Sequence, residues 1–246
     1  MTILKYVDFE VPNFGELALP SMAVPDYASA VMALTPLAYW RMGEQTGTTL
    51  ADETGNYPLQ LSGAHSLLQD GALTYDNNEA IHFSGAVATA NAPLLPGGVN
   101  APFSVAFWVR APAGPIDGGA IMGQFTTTSI GHTRLHIPDD GRLRLTILNG
   151  VDVYSTQQID TSWRFAVLTR SGAGLVRWFV DGQLDVEQSG GGDAIAPIDF
   201  LLGQVTTNSV NFFLDEVAIF HHELSADQVR WLYGLAMGQL ALPDGL

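Results

Sequence analysis

Phe103-Ser-Val-Ala-Phe-Trp-Val-Arg110 alternates along its length, with Phe103, Val105, Phe107 and Val109 on one side of an extended chain. A period of two belongs to a β-strand, whose successive side chains point to opposite faces. The same texture recurs outward from this stretch. Arg142-Leu-Arg-Leu-Thr-Ile-Leu148 and Val151-Asp-Val-Tyr-Ser155 flank Asn149-Gly150. Leu175-Val-Arg-Trp-Phe-Val180 and Gln183-Leu-Asp-Val186 flank Asp181-Gly182. Asn-Gly and Asp-Gly between alternating runs predict two-residue hairpins, because both turn positions need φ > 0. Asp140-Gly141 marks another turn ahead of the 142–148 strand. Val210 to Phe220 is a nearly continuous apolar run, which predicts a strand covered on both faces. Short strands at regular spacing with such turns predict an all-β, two-sheet antiparallel sandwich rather than βαβ units.

Two helices are expected beside the strands. Tyr27, Val31 and Leu34 fall at i, i+4 and i+7, and Pro36 ends that run because proline disfavours helical backbone just before it. Near the C-terminus, Ser225-Ala-Asp-Gln228 reads as a capping box, with Leu224 and Val229 placed as a hydrophobic staple. Val229, Leu232, Tyr233 and Ala236 then form one apolar stripe. Residues 1–26 carry Pro12, Pro20 and Pro25 and lack a periodic apolar face, so they are expected to form an extended arm. The arm and short helix make up residues 1–36, and the sandwich with its closing helix occupies 37–246. An arm of this kind packs on a partner subunit or folds back on its own domain. The first of these suits a homo-oligomer.

Composition excludes several classes. The chain has 246 residues, 10 Lys+Arg against 25 Asp+Glu and a net charge of −15. Nucleic acid needs a basic footprint, and an anionic membrane surface would repel this chain. Excess carboxylate suits either divalent-cation binding or plain solubility. There is no cysteine, which removes disulfides, thiolate metal sites and cysteine nucleophiles from consideration. The stretch Met1 to Glu10 has acids within its apolar residues and no basic region, so no signal peptide is expected there. No window is apolar enough for a membrane span.

A search for catalytic groups gives little. A glycosidase needs two carboxylates facing one another across the scissile bond. Asp185 and Glu187 share a strand face but lie at a hairpin end before Gly190-Gly-Gly192, where solvated acids are expected. Asp215 and Glu216 are adjacent and should point to opposite faces, with Asp215 beside Val217 and Ile219 at the end of an apolar row. His132 and His136 lie ~13 Å apart on a strand, too far to chelate one ion. His221 and His222 read as a surface pair before the helix. Trp40, Trp108, Trp163, Trp178 and Trp231 fall in core-type positions, leaving Tyr75 and Tyr154 as the best candidate rings for stacking on a sugar.

Pro36-Leu-Ala-Tyr-Trp-Arg-Met-Gly-Glu44, Gly47-Thr-Thr-Leu-Ala-Asp52 and Thr54-Gly-Asn56 together resemble the opening of the laminin-G-like jelly-roll family of prokaryotes and phages. Five further pieces follow in family order. They are Ala80-Ile-His-Phe-Ser-Gly85, Phe103 to Val109, Trp163-Arg-Phe-Ala-Val167, Trp178-Phe-Val-Asp-Gly182, and Leu214 to Phe220 with Leu224 to Val229 and Leu232-Tyr233. Arg164 and Phe165 stand where the family usually has histidines. The resemblance covers about residues 37–237 and implies a concanavalin A-like jelly roll. It further implies a structural calcium near Asp215 with groups from the Asp52–Asn56 loop, giving Asp52, Asn56 and Asp215 as metal ligands and Glu44 as an additional one. The competing reading is that Asp215 caps a backbone turn without metal.

The short helix running into this opening is similar to phage-encoded members found in tail or capsid accessory proteins. It implies a virion protein assembled in the host cytoplasm, non-enzymatic, anchored by its arm to other virion proteins and facing a host surface glycan. A free carbohydrate-binding module and a glycan-cleaving enzyme are the alternatives.

Overall fold

The computed structural model describes residues 24–97, 100–113, 119–126, 129–147, 151–190, 198–203 and 211–238. The arm before residue 24, the Asn149-Gly150 turn, Gly191-Gly192 and the last eight residues lie outside the described residues. Side chains of 125–132 and 151 do as well, and with them the His132 side chain.

In chain order the elements are α1 (Tyr27–Ala33), β1 (Ala38–Trp40), β2 (Thr49–Leu50), β3 (Leu59–Ser62), β4 (His65–Gln69), β5 (Ala80–Ser84), β6 (Val87–Thr89), β7 (Phe103–Arg110) and β8 (Gly119–Thr126). There follow β9 (Ser129–Ile137), β10 (Arg142–Ile147), β11 (Val151–Gln158), β12 (Arg164–Arg170), β13 (Leu175–Val180), β14 (Gln183–Ser189), β15 (Leu201–Gly203), β16 (Asn211–Phe220) and α2 (Ala226–Ala236). They form two antiparallel sheets. The first runs β14-β13-β12-β7-β16-β5-β4, with β1 also paired to β16. The second runs β11-β10-β9-β8-β15-β6-β3-β2. The expected sandwich with an N-terminal and a C-terminal helix is therefore what the chain builds.

The alternation of β7 sorts its side chains into two layers. Phe103, Val105, Phe107 and Val109 enter the core between the sheets, with Leu135, Leu143, Leu145 and Val153 of the second sheet among their companions. Ala106 and Trp108 face the other way. There they meet Tyr27, Ala30 and Val31 of α1 and Val229, Trp231, Leu232 and Leu235 of α2. β16 is buried at nearly every position because it is covered on both sides, as its unbroken apolar run requires.

Local signals shape the helix ends and the turns. Asp26 caps α1, its carboxylate accepting from the Ser29 N–H at 2.7 Å. Both halves of the Ser225–Gln228 capping box form. β10 and β11 pair with Ile147 opposite Val151. Asp181 and Gly182 join β13 to β14 with φ of 50° and 75°, the left-handed pair a tight hairpin needs. Four tryptophans are buried, while Trp163 stays partly exposed beneath the Arg110 guanidinium.

Gly182 also carries α2, because a Cβ there would stand 2.9 Å from the Tyr233 side chain. Gly182→Ala is expected to cost about 1–2 kcal/mol from backbone strain alone. A urea titration checks it: the midpoint should fall with an unchanged slope.

Candidate functional site

Two places gather polar side chains, one sealed and one open. The sealed one sits on β16. Between Asp215 and Ala218 this strand advances three residues while β7 covers two, from Trp108 to Ala106. The extra residue is a β-bulge, and Glu216 within it has φ of 49°. The bulge reverses the alternation, so Leu214 and Val217 both enter the inter-sheet core. Asp215 therefore does not share a face with Val217 and Ile219, and Asp215 and Glu216 do not point to opposite sides. Asn78 Nδ2 donates to both carboxylates, 3.1 Å from each.

Glu216 is fully buried. It accepts hydrogen bonds from the Tyr39 hydroxyl and from Arg41 at 3.0–3.1 Å. Arg41 also pairs with Asp76 at 2.7 Å. Asp215 accepts from the Ala72 N–H at 2.7 Å. Burial lifts both carboxyls above the usual range, to about 7 at Glu216 even with Arg41 and Tyr39 pulling it down. The Glu216 charge adds to the rise at Asp215.

These residues do not fit the implied calcium. Asp52 Oδ1 accepts from the Tyr39 and Thr54 N–H groups at 2.8 and 3.1 Å. Its Oδ2 accepts from the Thr54 hydroxyl and the Asn56 and Tyr57 N–H groups at 2.6–3.1 Å. Five donors fill the roughly four lone-pair positions of one carboxylate. Asn56 Nδ2 donates to Thr54 Oγ1, and Glu44 accepts from the Ala51 N–H. Asp52 thus organises its own loop, while Asp215 holds the 71–79 segment. No group of three or more acidic, histidine or cysteine side chains among the described residues is placed to hold a metal.

The open place is the outer face of the second sheet. Directly paired residues carry one continuous row across all eight strands: Thr49, Gln60, Thr89, Leu201, Gly123, Arg134, Thr146 and Asp152. At about 4.8 Å per strand the row runs roughly 34 Å. Beside it a second row holds Ala120, His136, Arg144 and Tyr154. No described helix covers this face, in contrast to the first sheet.

Its side chains hold one another. Arg144 grips Asp152 through Nε and Nη2 at 2.9 and 2.6 Å. Thr146 donates to Asp152 at 2.7 Å, so its hydroxyl is left to accept from His136 Nε2 at 3.1 Å. Burial, then the Arg134 and Arg144 charges, push His136 down to about 3, and it stays neutral. The Arg142 and Arg144 guanidiniums lie 4.7 and 4.9 Å from the Tyr154 ring centroid. Of the two candidate stacking rings, Tyr154 is on this face. Tyr75 is instead close to the sealed cluster, whose Asp76 and Glu216 charges, after burial, raise its hydroxyl to about 12. Sequence reasoning missed Arg134, Arg144, Thr146 and Asp152. The alternation of 142–148 and 151–155 already placed Arg144, Thr146 and Asp152 opposite the apolar positions.

Asp185 and Glu187, the acids that share a strand face, are engaged by neighbours. Asp185 binds the Thr156 N–H at 2.6 Å and its hydroxyl, and Glu187 pairs with Arg177 at 2.7 Å. His221 reaches the Leu94 carbonyl at 2.8 Å.

The sequence of residues 78–230 matches the concanavalin A-like lectin/glucanases superfamily. None of the curated proteins matches significantly in sequence. Among solved structures the chain is similar to domain 4 of a GH43 extracellular arabinanase from Geobacillus stearothermophilus, solved in complex with arabinotriose. The TM-score is 0.64 at 17% identity, covering 80% of this chain and 97% of that one. It is similar as well to the botulinum neurotoxin serotype D binding domain (TM-score 0.63, 15% identity, 85% and 53% covered). A third likeness is to the binding domain of botulinum neurotoxin DC in complex with SialylT (TM-score 0.61, 14% identity, 82% and 51% covered). The chain spans about half the length of these toxin domains. At such identities the likeness is one of fold.

The sealed cluster yields a pH dependence. From about pH 4.5 to about pH 7 folded Glu216 keeps a proton that the unfolded chain has lost, so stability falls as pH rises through that window. The full effect is on the order of 3 kcal/mol. Thermal melts of wild type should therefore lose several degrees between about pH 5 and about pH 7. Asp215→Asn, which removes the second raised carboxyl, should show a flatter profile; equal slopes would count against a proton held on Asp215 in the folded state.

Proposed function

The chain belongs to the concanavalin A-like lectin/glucanases superfamily, and from that premise we propose that it is a non-catalytic carbohydrate-binding protein. The observation that carries this reading is the open face of the second sheet. It offers a row across eight strands in which Thr49, Gln60, Thr89, Arg134, Thr146 and Asp152 are polar, with an aromatic ring beside it. A sugar chain needs that combination of hydrogen-bonding groups and a surface for its apolar ring face. The arabinanase domain in complex with arabinotriose offers a precedent for sugar binding on the same fold. The absence of catalysis is supported by the state of the acids. Asp215 and Glu216 are sealed under the first sheet's cover, and Asp185 and Glu187 are held by neighbours.

The setting we propose is a virion, with the protein acting as a phage-type accessory in capsid decoration or tail adhesion. The likeness of Leu34-Thr-Pro-Leu-Ala-Tyr-Trp-Arg-Met-Gly-Glu44 to phage-encoded openings supports it, as does the proline-bearing arm ahead of α1. α1 itself is docked on the first sheet beside α2. That leaves the preceding residues to meet other virion proteins or further copies of the chain.

A glycan array probed with the whole protein tests the binding reading. Binding is expected, and Tyr154→Ala should weaken it about tenfold, equivalent to about 1.4 kcal/mol. A blank array, or a variant that binds as well as wild type, would sink it. Deletion of residues 1–23 should keep the melting midpoint and glycan binding while abolishing incorporation into particles.

A further inference from the structure

We propose that the open face selects carboxylate-bearing glycans, with Arg134 receiving the carboxylate. This rests on the reading of that face as the glycan surface. In a chain with 10 Lys+Arg and a net charge of −15, Arg134, Arg142 and Arg144 all lie on this one sheet. Two of them are already neutralised. Arg142 pairs with Asp140 at 2.7 Å, and Arg144 holds both oxygens of Asp152. Arg134 has no ion-pair partner among the described residues. It is half-buried, burial and the Arg144 charge hold its pKa down against a smaller pull from Asp152, and His136 beside it is neutral.

A partly desolvated guanidinium without an ion-pair contact is costly, and an arriving carboxylate offsets that cost through two parallel N–H···O bonds. The position suits such a ligand. Arg134 lies opposite Gly123 on one side and Thr146 on the other. Gly123 is buried and brings no side chain to compete for the guanidinium, while Thr146 offers a hydroxyl beside it for a sugar whose carboxylate meets Arg134. Asp152, the nearest acid in the row, has both oxygens committed to Arg144. A neutral sugar would bury the guanidinium further and return no charge to it.

Titration calorimetry on the full chain tests this with matched pairs of probes: oligogalacturonate and its carboxyl-reduced counterpart, and sialyllactose and lactose. The acidic member of at least one pair should bind at least tenfold tighter. Arg134→Gln should erase that preference, and Tyr154→Ala should weaken both members, each variant melting as wild type does. Equal affinity within every bound pair, or a preference that survives Arg134→Gln, overturns the selection by charge; if Tyr154→Ala still weakens both members, the glycan surface itself stands. Failure of wild type to bind any of the four probes overturns this proposal, and the array reports separately on the surface.

Discussion

One additional residue in β16 sets much of the molecule's internal order. Without the bulge, Asp215 and Glu216 would point to opposite faces, and one carboxylate would enter the apolar core between the sheets. With it, both lie on the helix side. Burying charge there still costs several kcal/mol per ion unless it is met by partners. The partners come from two places: Tyr39 and Arg41 at and just beyond β1, and Ala72 and Asn78 in the segment before β5, whose Asp76 also braces Arg41. The acids thereby fasten β1 and the 71–79 segment to the first sheet. Tyr39, Ala72 and Leu73 then join α1 and α2 in a second apolar layer.

The two sheets consequently have different outer faces. The first is spent on stability, roofed by two helices and sealed over a polar knot. The second has no described roof, and its outer residues satisfy one another laterally through Arg144, Asp152, Thr146 and His136. Such a lattice keeps the side chains ordered before any ligand arrives, which lowers the entropic cost of binding. Among the described residues Arg134 is the member of this lattice without an ion-pair contact.

Much of this was legible in the sequence because it is local. Alternation around Phe103–Arg110, the left-handed Asp181-Gly182 pair and the Ser225–Gln228 box each depend on a few adjacent residues. The bulge was not legible, since an Asp-Glu pair inside an apolar run reads as ordinary alternation until the pairing with β7 is known. The calcium reading failed to fit for a similar reason: the Asp52 loop has ligand-like composition, yet its carboxylate is consumed by the loop's own N–H groups. The open face assembles residues from 49 to 201, brought side by side by strand pairing alone. Spacing along the chain does not tell which strands pair to make that row, although the alternation of 142–148 and 151–155 marked Arg144, Thr146 and Asp152 as outward.

Chemical-shift mapping of the isotopically labelled chain, titrated with an oligosaccharide that it binds, tests the division between the two faces most directly. The account predicts perturbations concentrated on β8 to β11, including Arg134, Thr146 and Tyr154, with α1, α2 and the 71–79 segment unchanged. Perturbations confined to the helices or to the loops at the ends of the sandwich would contradict it.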